Sequence, residues 1–432
     1  MRIVISVLAF ALAGCPATRT PISMALDYLW QTQVKNDLRL PAYRDYAGDW
    51  PQFMSVSGRP NLRIRDVSPF IPAFIHHGLT FITAENLDAL ELSYDDVARA
   101  RLMRQQAVSF IKRFESASDA PDAGAYGFWP VNTRSNEPHS PMVDLSIRLL
   151  KGPVLQGSRV PLNIGFFPGS FAIPADCDVT AAAYVTFQND ARLDSGPAVT
   201  QSPARFFADW RDVGLVPRRL NPGWLPTASG AFLTWFNYLD PPVFTIPNDV
   251  DAAVNANVLH ALARFGQLFT PGAQEAISLI NYVVREGLYN NRQSMVTPYY
   301  RSNSYIFHFF VTRAFQEGPV PGLQPAADIL ADEIQREAVT LPRGMVCWDR
   351  GSPHFDTALC LLALMQAGRN TGLIEKGIKY LINEQHPVQG FWDEATFFIA
   401  LTDGGVQFNW GSRALTTALA LEALCRFRLA AT

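Results

Sequence analysis

Apolar residues along this chain fall into runs of two alternating kinds. One kind is apolar nearly all round and rich in alanine, as in VSPFIPAFIHHGL, VTAAAYV, AAVNANVLHAL and TALCLLALM. The other keeps a charged stripe opposite an apolar one, as in QEAISLINYVVRE and DILADEIQREA. A helix packed on both sides has the first pattern, and a helix with one solvent face has the second. The buried kind starts six times, after Asp66, Asp176 and Asp178, Asp249 and Asp251, Ser302, Asp356 and Ser412. Aspartate and serine are expected there, because a helix leaves its first backbone N–H groups unpaired and these side chains accept from them. Inner helices are therefore predicted from Asp66, from Asp178, over 250–265, over 302–315, from Asp356 and over 412–429. Outer helices are predicted over 22–34, 94–114, 204–213, 271–287, 325–338 and 372–383. Six repeats of one helical hairpin predict an all-α fold, an (α/α)6 toroid. An open solenoid of the same hairpins would carry polar caps at its ends, and neither end of the sequence has that composition.

Two stretches interrupt the period. Within about 132–175, RVPLNIGFFPGSFAIP mixes β-branched and aromatic residues with Pro and Gly, which predicts a small strand-containing insertion. NPGWLPTASGAFLTWFNYLDPP is a second long connection, and connections of this length tend to cover sites. At the other extreme, MRIVISVLAFALAGC reads as an export signal, with Leu12-Ala13-Gly14-Cys15 resembling the lipobox of bacterial lipoproteins. The expected organisation is a signal peptide at 1–14, a linker at 15–21 and a toroid domain at 22–432. Lipidation of Cys15 would anchor the protein to a membrane of the bacterial cell envelope, on its periplasmic or extracellular face.

Composition narrows the function. The 432 residues are 48% hydrophobic with a formal net charge of −3, and no Lys/Arg cluster interleaves with aromatics, so nucleic acid is not expected as a partner. No GxSxG, Walker loop, HExxH or dinucleotide fingerprint is present. Cys177, Cys347, Cys360 and Cys425 are either buried thiols or at most two disulfides. Candidate chemistry concentrates at the helix starts. One carboxylate suffices as a cap, yet Asp176 with Asp178 and Asp249 with Asp251 supply two each. Paired carboxylates raise one another's pKa and suit a general acid, or they bind a cation such as calcium. Asn257 and His260, three apart on one helix, are expected to face the toroid lumen together. Cys347, Asp349 and His354 offer three zinc-ligand types within eight residues, although no cofactor is required by the rest of the pattern. The aromatic segments TPYYRSNSY, GMVCWDR and FNWGSR belong at the same end of the barrel as the acids.

The aromatic turns GFWPVN and QGFWDEA, together with Asp176-Cys177-Asp178-Val179-Thr180, resemble the terpenoid cyclase and protein prenyltransferase toroids. The resemblance implies an (α/α)6 barrel, single rather than double because the chain is shorter than the two-barrel triterpene cyclases. In proton-initiated cyclases a DxDD or DxDTT motif supplies a general acid from its second aspartate. Carried over, the acid is Asp178 and its neighbour Asp176, with Val179 at the position where the family has Asp or Thr. The implied function is binding or proton-initiated isomerisation of an apolar, isoprenoid-like molecule. Trp129, Tyr300 and Trp410 would shield the cation, and Asp249, Asp251, Asn257, His260, His354 and Asp356 would line the substrate. Two other readings use the same residues: a non-enzymatic binding or scaffold lipoprotein, and a carbohydrate-active α/α toroid whose carboxylates would stand about 5 to 9.5 Å apart.

Overall fold

The computed structural model describes residues 19–432 except 41–42, 117, 119–121, 129–173, 195, 197–198, 200, 215–227, 237–247, 292, 370 and 402–406. The expected signal peptide, Cys15, Trp129 and nearly all of the expected insertion lie outside the described residues. The protein is mostly helical, with a small antiparallel sheet. Outer and inner helices alternate along the chain. The outer ones are α1 (Pro21–Thr32), α3 (Tyr94–Ile111), α5 (Ala204–Asp209), α7 (Ala273–Arg285), α9 (Gln324–Arg336) and α11 (Thr371–Glu384). The inner ones are α2 (Phe70–Leu79), α4 (Cys177–Leu193), α6 (Ala252–Arg264), α8 (Ile306–Gln316), α10 (Pro353–Gln366) and α12 (Arg413–Leu429).

Burial explains the two sequence patterns. Every residue of α2 is buried, as is every residue from Ala252 to Leu262 in α6, so these helices have no solvent face to keep polar. In α9 the buried residues are Ala326, Ala327, Leu330, Ala331, Glu333 and Ile334, mostly on one stripe. Each inner helix packs on the next, α2 on α4, α4 on α6, α6 on α8, α8 on α10 and α10 on α12. The succession returns to its start because α12 packs on α2, while α1 packs on α12 from outside.

A sheet joins the chain's two halves. Strands β1 (Gln52–Val56), β2 (Arg59–Asp66), β3 (Thr396–Leu401) and β4 (Gln407–Gly411) form an antiparallel sheet in the order β2-β1-β4-β3. Met54 pairs with Trp410, which pairs with Phe398, so three large apolar side chains stand in one row on one face. The helical period misses these strands because each is five to eight residues long, shorter than the window that detects periodicity.

Caps differ in part from expectation. Ser412 does cap α12, accepting from Leu415 N at 3.4 Å. Ser302 caps nothing, since α8 begins after Tyr305, and Asp66 lies at the end of β2, four residues before α2. For α4 the cap is Asp176 rather than Asp178, and for α6 it is Asp251 rather than Asp249. All four described cysteines are buried free thiols, which settles the choice against disulfides among them. No described helix is long and apolar enough to cross a membrane.

Gly390 marks the seam where the first helix meets the last third of the chain. Its φ is +75°, and a Cβ there would stand 2.3 Å from the Met24 carbonyl oxygen of α1. Gly344 has nearly the same φ, +72°, with nothing within 4 Å of its would-be Cβ. Gly344→Ala therefore costs only the left-handed backbone term, about 1 kcal/mol. Gly390→Ala adds a collision with backbone and is expected to cost at least about 3 kcal/mol. Urea unfolding of both variants checks this, and equal midpoints would refute the close packing of α1 at that seam.

Candidate active site

The doubled acids divide their labour. At the start of α4, Asp176 Oδ1 accepts from Val179 N at 2.7 Å, which satisfies the helix end and leaves the second acid free of that task. Asp178, two residues on, lies in the first turn and points away from the cap. Its Oδ1 accepts from Asn257 Nδ2 of α6 at 2.7 Å, and its Oδ2 accepts the Tyr300 hydroxyl hydrogen bond. At the start of α6 the order is reversed: Asp251 caps, accepting from Ala253 N at 2.7 Å and Val254 N at 3.0 Å. Asp249 instead accepts from the Tyr299 hydroxyl at 2.8 Å, which in turn accepts from Trp235 Nε1 at 2.9 Å. Two consecutive tyrosines thus reach the two spare acids.

Charge balance singles out Asp178. Burial pushes its pKa up to about 6, held from rising further by the hydrogen bonds from Tyr300 and Asn257 and by the positive charge of Arg313. Burial pushes Asp251 up to about 8 against its backbone hydrogen bonds, with the Asp178 charge adding to the rise. Asp176 is pushed well above the carboxylate range by burial and then by Asp178, and its Oδ2 has no hydrogen-bond partner. Burial therefore weakens Asp176 and Asp251 as acids, and Asp178, at about 6, is the member of the group poised to gain or lose a proton. Burial, then Asp178, keeps the Tyr300 phenol protonated and hence a donor.

Tyr300 connects this acid to an aromatic cluster. Its ring lies 5.1 Å from Phe310, 5.3 Å from Phe398 and 5.6 Å from Phe397. Phe70 stacks on Phe74 at 4.7 Å and meets Phe398 edge-on at 4.6 Å, and Phe74 lies 5.6 Å from Phe310. Phe128 meets Phe398 and Trp410 edge-on at 5.6 and 5.9 Å. Backbone bonds hold the tyrosines in place: Arg301 N donates to Phe397 O at 3.0 Å, and Ile399 N to Tyr299 O at 2.9 Å. Faces and edges of rings at these separations offer negative potential to a cation and an apolar surface to a hydrocarbon.

The other expected residues scatter. Trp410 stays at this end, donating its Nε1 hydrogen bond to Asp66 Oδ2 at 2.5 Å. Asp356 sits in the first turn of α10, where Arg301 Nη2 reaches both its oxygens at 2.7 and 3.0 Å and Arg350 N donates at 2.9 Å. His354 faces the outer layer, 3.7 Å from Asp393 and 3.9 Å from Glu384, and accepts from Asp393 N at 3.2 Å. His260, one turn beyond Asn257 on α6, has no hydrogen-bond partner at Nε2, and the charges that bear on it are those of Arg313, Glu317, His77 and Arg264. Among the described residues, the three ligand-bearing side chains that come within 4.8 Å of one another are His77, Glu317 and Glu422, not Cys347, Asp349 and His354. Arg426 already binds both of those glutamates, so two cations neutralise them without a metal when His77 is protonated.

Sequence reasoning missed the phenylalanines and this far-end charge group. Phe70 and Phe74 are four apart and Phe310 and Arg313 three apart, spacings that place each pair on one helix face and could have drawn attention. Phe397 and Phe398 carry no such signal, because their strand was not foreseen.

No family model matches the chain, and no curated protein matches it in sequence. In structure it is similar to a variant of the type II terpene cyclase MstE from Scytonema in complex with its substrate, geranylgeranyl dihydroxybenzoate. The TM-score is 0.53 at 14% identity, over 95% of this chain and 97% of that one. It is similar also to apo MstE, with a TM-score of 0.51 at 13% identity over 95% and 97% of the two chains. A protein from Actinoplanes gives 0.51 at 15% identity over 94% and 98%. The likeness shows a terpenoid-cyclase-like fold.

Removing a donor from Asp178 should raise its pKa. Tyr300→Phe and Asn257→Leu each delete one hydrogen bond to the carboxylate, so protonation of Asp178 is expected to move above about 6 in both. Infrared difference spectra across pH report it through the protonated carboxyl stretch, assigned by its disappearance in Asp178→Asn. An unchanged or lowered midpoint would show that these contacts do not set the acid's strength.

Proposed function

We propose that this chain is a proton-initiated, terpenoid-cyclase-like enzyme built on an (α/α)6 toroid, with Asp178 as the general acid acting on an isoprenoid alkene. The observation that carries this reading is the position of Asp178: a buried carboxyl with pKa about 6, held by Asn257 and Tyr300 beside a cluster of aromatic rings. The likeness to a fold whose solved members include a terpene cyclase in complex with a prenylated substrate supports it.

The chemistry follows from those contacts. Each carboxyl oxygen accepts one hydrogen bond and keeps a second lone pair, so a proton can reside on Asp178 without displacing Tyr300 or Asn257. The two donors stabilise the conjugate base, which makes Asp178 a stronger acid than an equally buried carboxyl without them. An alkene π pair takes the proton and forms a C–H bond, leaving a cation on the adjacent carbon and a carboxylate on Asp178. Attack by a neighbouring double bond closes a ring and moves the charge along the chain. Loss of a proton from the last carbon to solvent gives the neutral product, and a solvent proton reloads the Asp178 carboxylate. Phe70, Phe74, Phe310, Phe397 and Phe398 offer the cation π density without a nucleophile that would quench it.

Val179 occupies the position where the cyclase motif has a third acid or threonine. Tyr300, from the segment before α8, is the group that hydrogen-bonds Asp178 here. We assign it the part that the missing side chain would play.

Activity on polyprenyl substrates tests the reading. Asp178→Asn is expected to lower kcat by about 10³-fold, the scale of general-acid catalysis, while leaving prenyl-ligand binding within about threefold. In the wild type kcat/KM should be flat at low pH and fall tenfold per unit above about 6, since the protonated form is the active one. Binding without any turnover would support a non-enzymatic binding protein instead, and full activity in Asp178→Asn would remove the acid role.

A further inference from the structure

We infer that Arg313 docks an anionic end group of the ligand, so that the substrate is an isoprenoid chain ending in a carboxylate or similar monoanion. The inference rests on the cyclase-like reading and extends it to the end of the chain remote from the alkene that Asp178 protonates.

Arg313 is on α8, three residues beyond Phe310 and on the same face. Its guanidinium lies over the Phe74 ring at 4.8 Å and 6.0 Å from that of Phe309, so it adjoins the aromatic cluster from the far side. The side chain is buried, yet among the described residues its guanidinium donates no hydrogen bond. Nε has no partner, and the carboxylate oxygen beside it, Glu317 Oε2, is at 3.6 Å, too long for one. A guanidinium has five N–H donors, and buried donors are almost always satisfied.

Glu317 pairs with Arg313 only at ion-pair distance, 3.6 Å, and its charge is shared with other groups. Its Oε1 accepts from Arg426 and from Gln366 Nε2 at 2.9 Å, and its Oε2 lies 3.1 Å from His77 Nε2. Glu422 accepts from Arg426 at 2.8 Å and lies 3.5 Å from His77. Burial alone would make His77 neutral, but the two carboxylates outweigh it and raise its pKa. Within this group Arg313, Arg426 and His77 face two carboxylates, so that one positive charge is left over when His77 is protonated. One monoanion balances it. A diphosphate would bring several negative charges against Glu317 and Glu422, with the single guanidinium of Arg313 to receive them.

The same charge bears on the reaction. An unneutralised guanidinium beside the rings would repel a carbocation migrating toward that end, and a bound anion removes the repulsion.

Calorimetric titration of the full chain with geranylgeranoic acid, its methyl ester and geranylgeranyl diphosphate tests the inference. The acid is expected to bind at least tenfold more tightly than the ester, and the diphosphate no more tightly than the ester. Arg313→Gln should abolish the preference for the acid, and Arg313→Lys, which keeps the charge but loses the planar fork, should retain part of it. The comparison of acid with ester in the wild type does not depend on either variant folding. Equal binding of acid and ester, a preference that survives Arg313→Gln, or tightest binding of the diphosphate would each overturn the inference while leaving the prenyl reading intact. Failure of all three ligands to bind would instead overturn the prenyl reading, and the inference with it.

Discussion

The pairing of β1 with β4 ties residues 52–56 to residues 407–411, and the arrangement of the site depends on it. The inner helices among the described residues, packed in succession, have two free flanks unless the first also meets the last. The sheet delivers the chain into α2 and α12 side by side, and their packing covers both flanks at once. The same sheet carries β3, whose backbone bonds to Tyr299 and Arg301 hold the segment before α8. From that segment Tyr300 reaches Asp178 on α4, across the interior from the sheet that positions it. A contact between residues far apart in sequence thus sets the environment of one carboxyl.

Burial by itself would make every acid here a weak one. Asp176 and Asp251 show that outcome, since backbone N–H groups at a helix start do not outweigh loss of water. Asp178 differs because two side-chain donors and a distant guanidinium act on it together. The pairing of acids in the sequence therefore reflects two separate needs, a cap for the helix and a carboxyl released from capping. Which member serves which need is inverted between α4 and α6, so position within the pair does not assign the role.

Much of the helical architecture was legible because periodicity is a local property. The predicted outer helix at 325–338 is observed over Gln324–Arg336, and the predicted final inner helix at 412–429 over Arg413–Leu429. Asp178, Asn257 and Tyr300 were each named as candidates from sequence, and the structure brings these three together. What escaped was non-local. The sheet required knowing that residue 54 meets residue 410, and the aromatic cluster required the strand at 396–401 to exist. His260, expected to face the lumen with Asn257, lies one turn along α6 from it, where the charges of Arg313, Glu317 and His77 bear on it. Asp356 and His354 were read as site residues from their chemistry, whereas an arginine claims the first and the outer layer the second.

On the proposed function the reaction begins with transfer of a solvent-exchangeable proton from Asp178 to carbon. Incubating the wild-type protein with a polyprenyl substrate in D₂O and weighing the cyclised product by mass spectrometry tests it most directly. One non-exchangeable deuterium is expected, at the carbon of the alkene where cyclisation starts. Cyclised product with no deuterium at that carbon would contradict it.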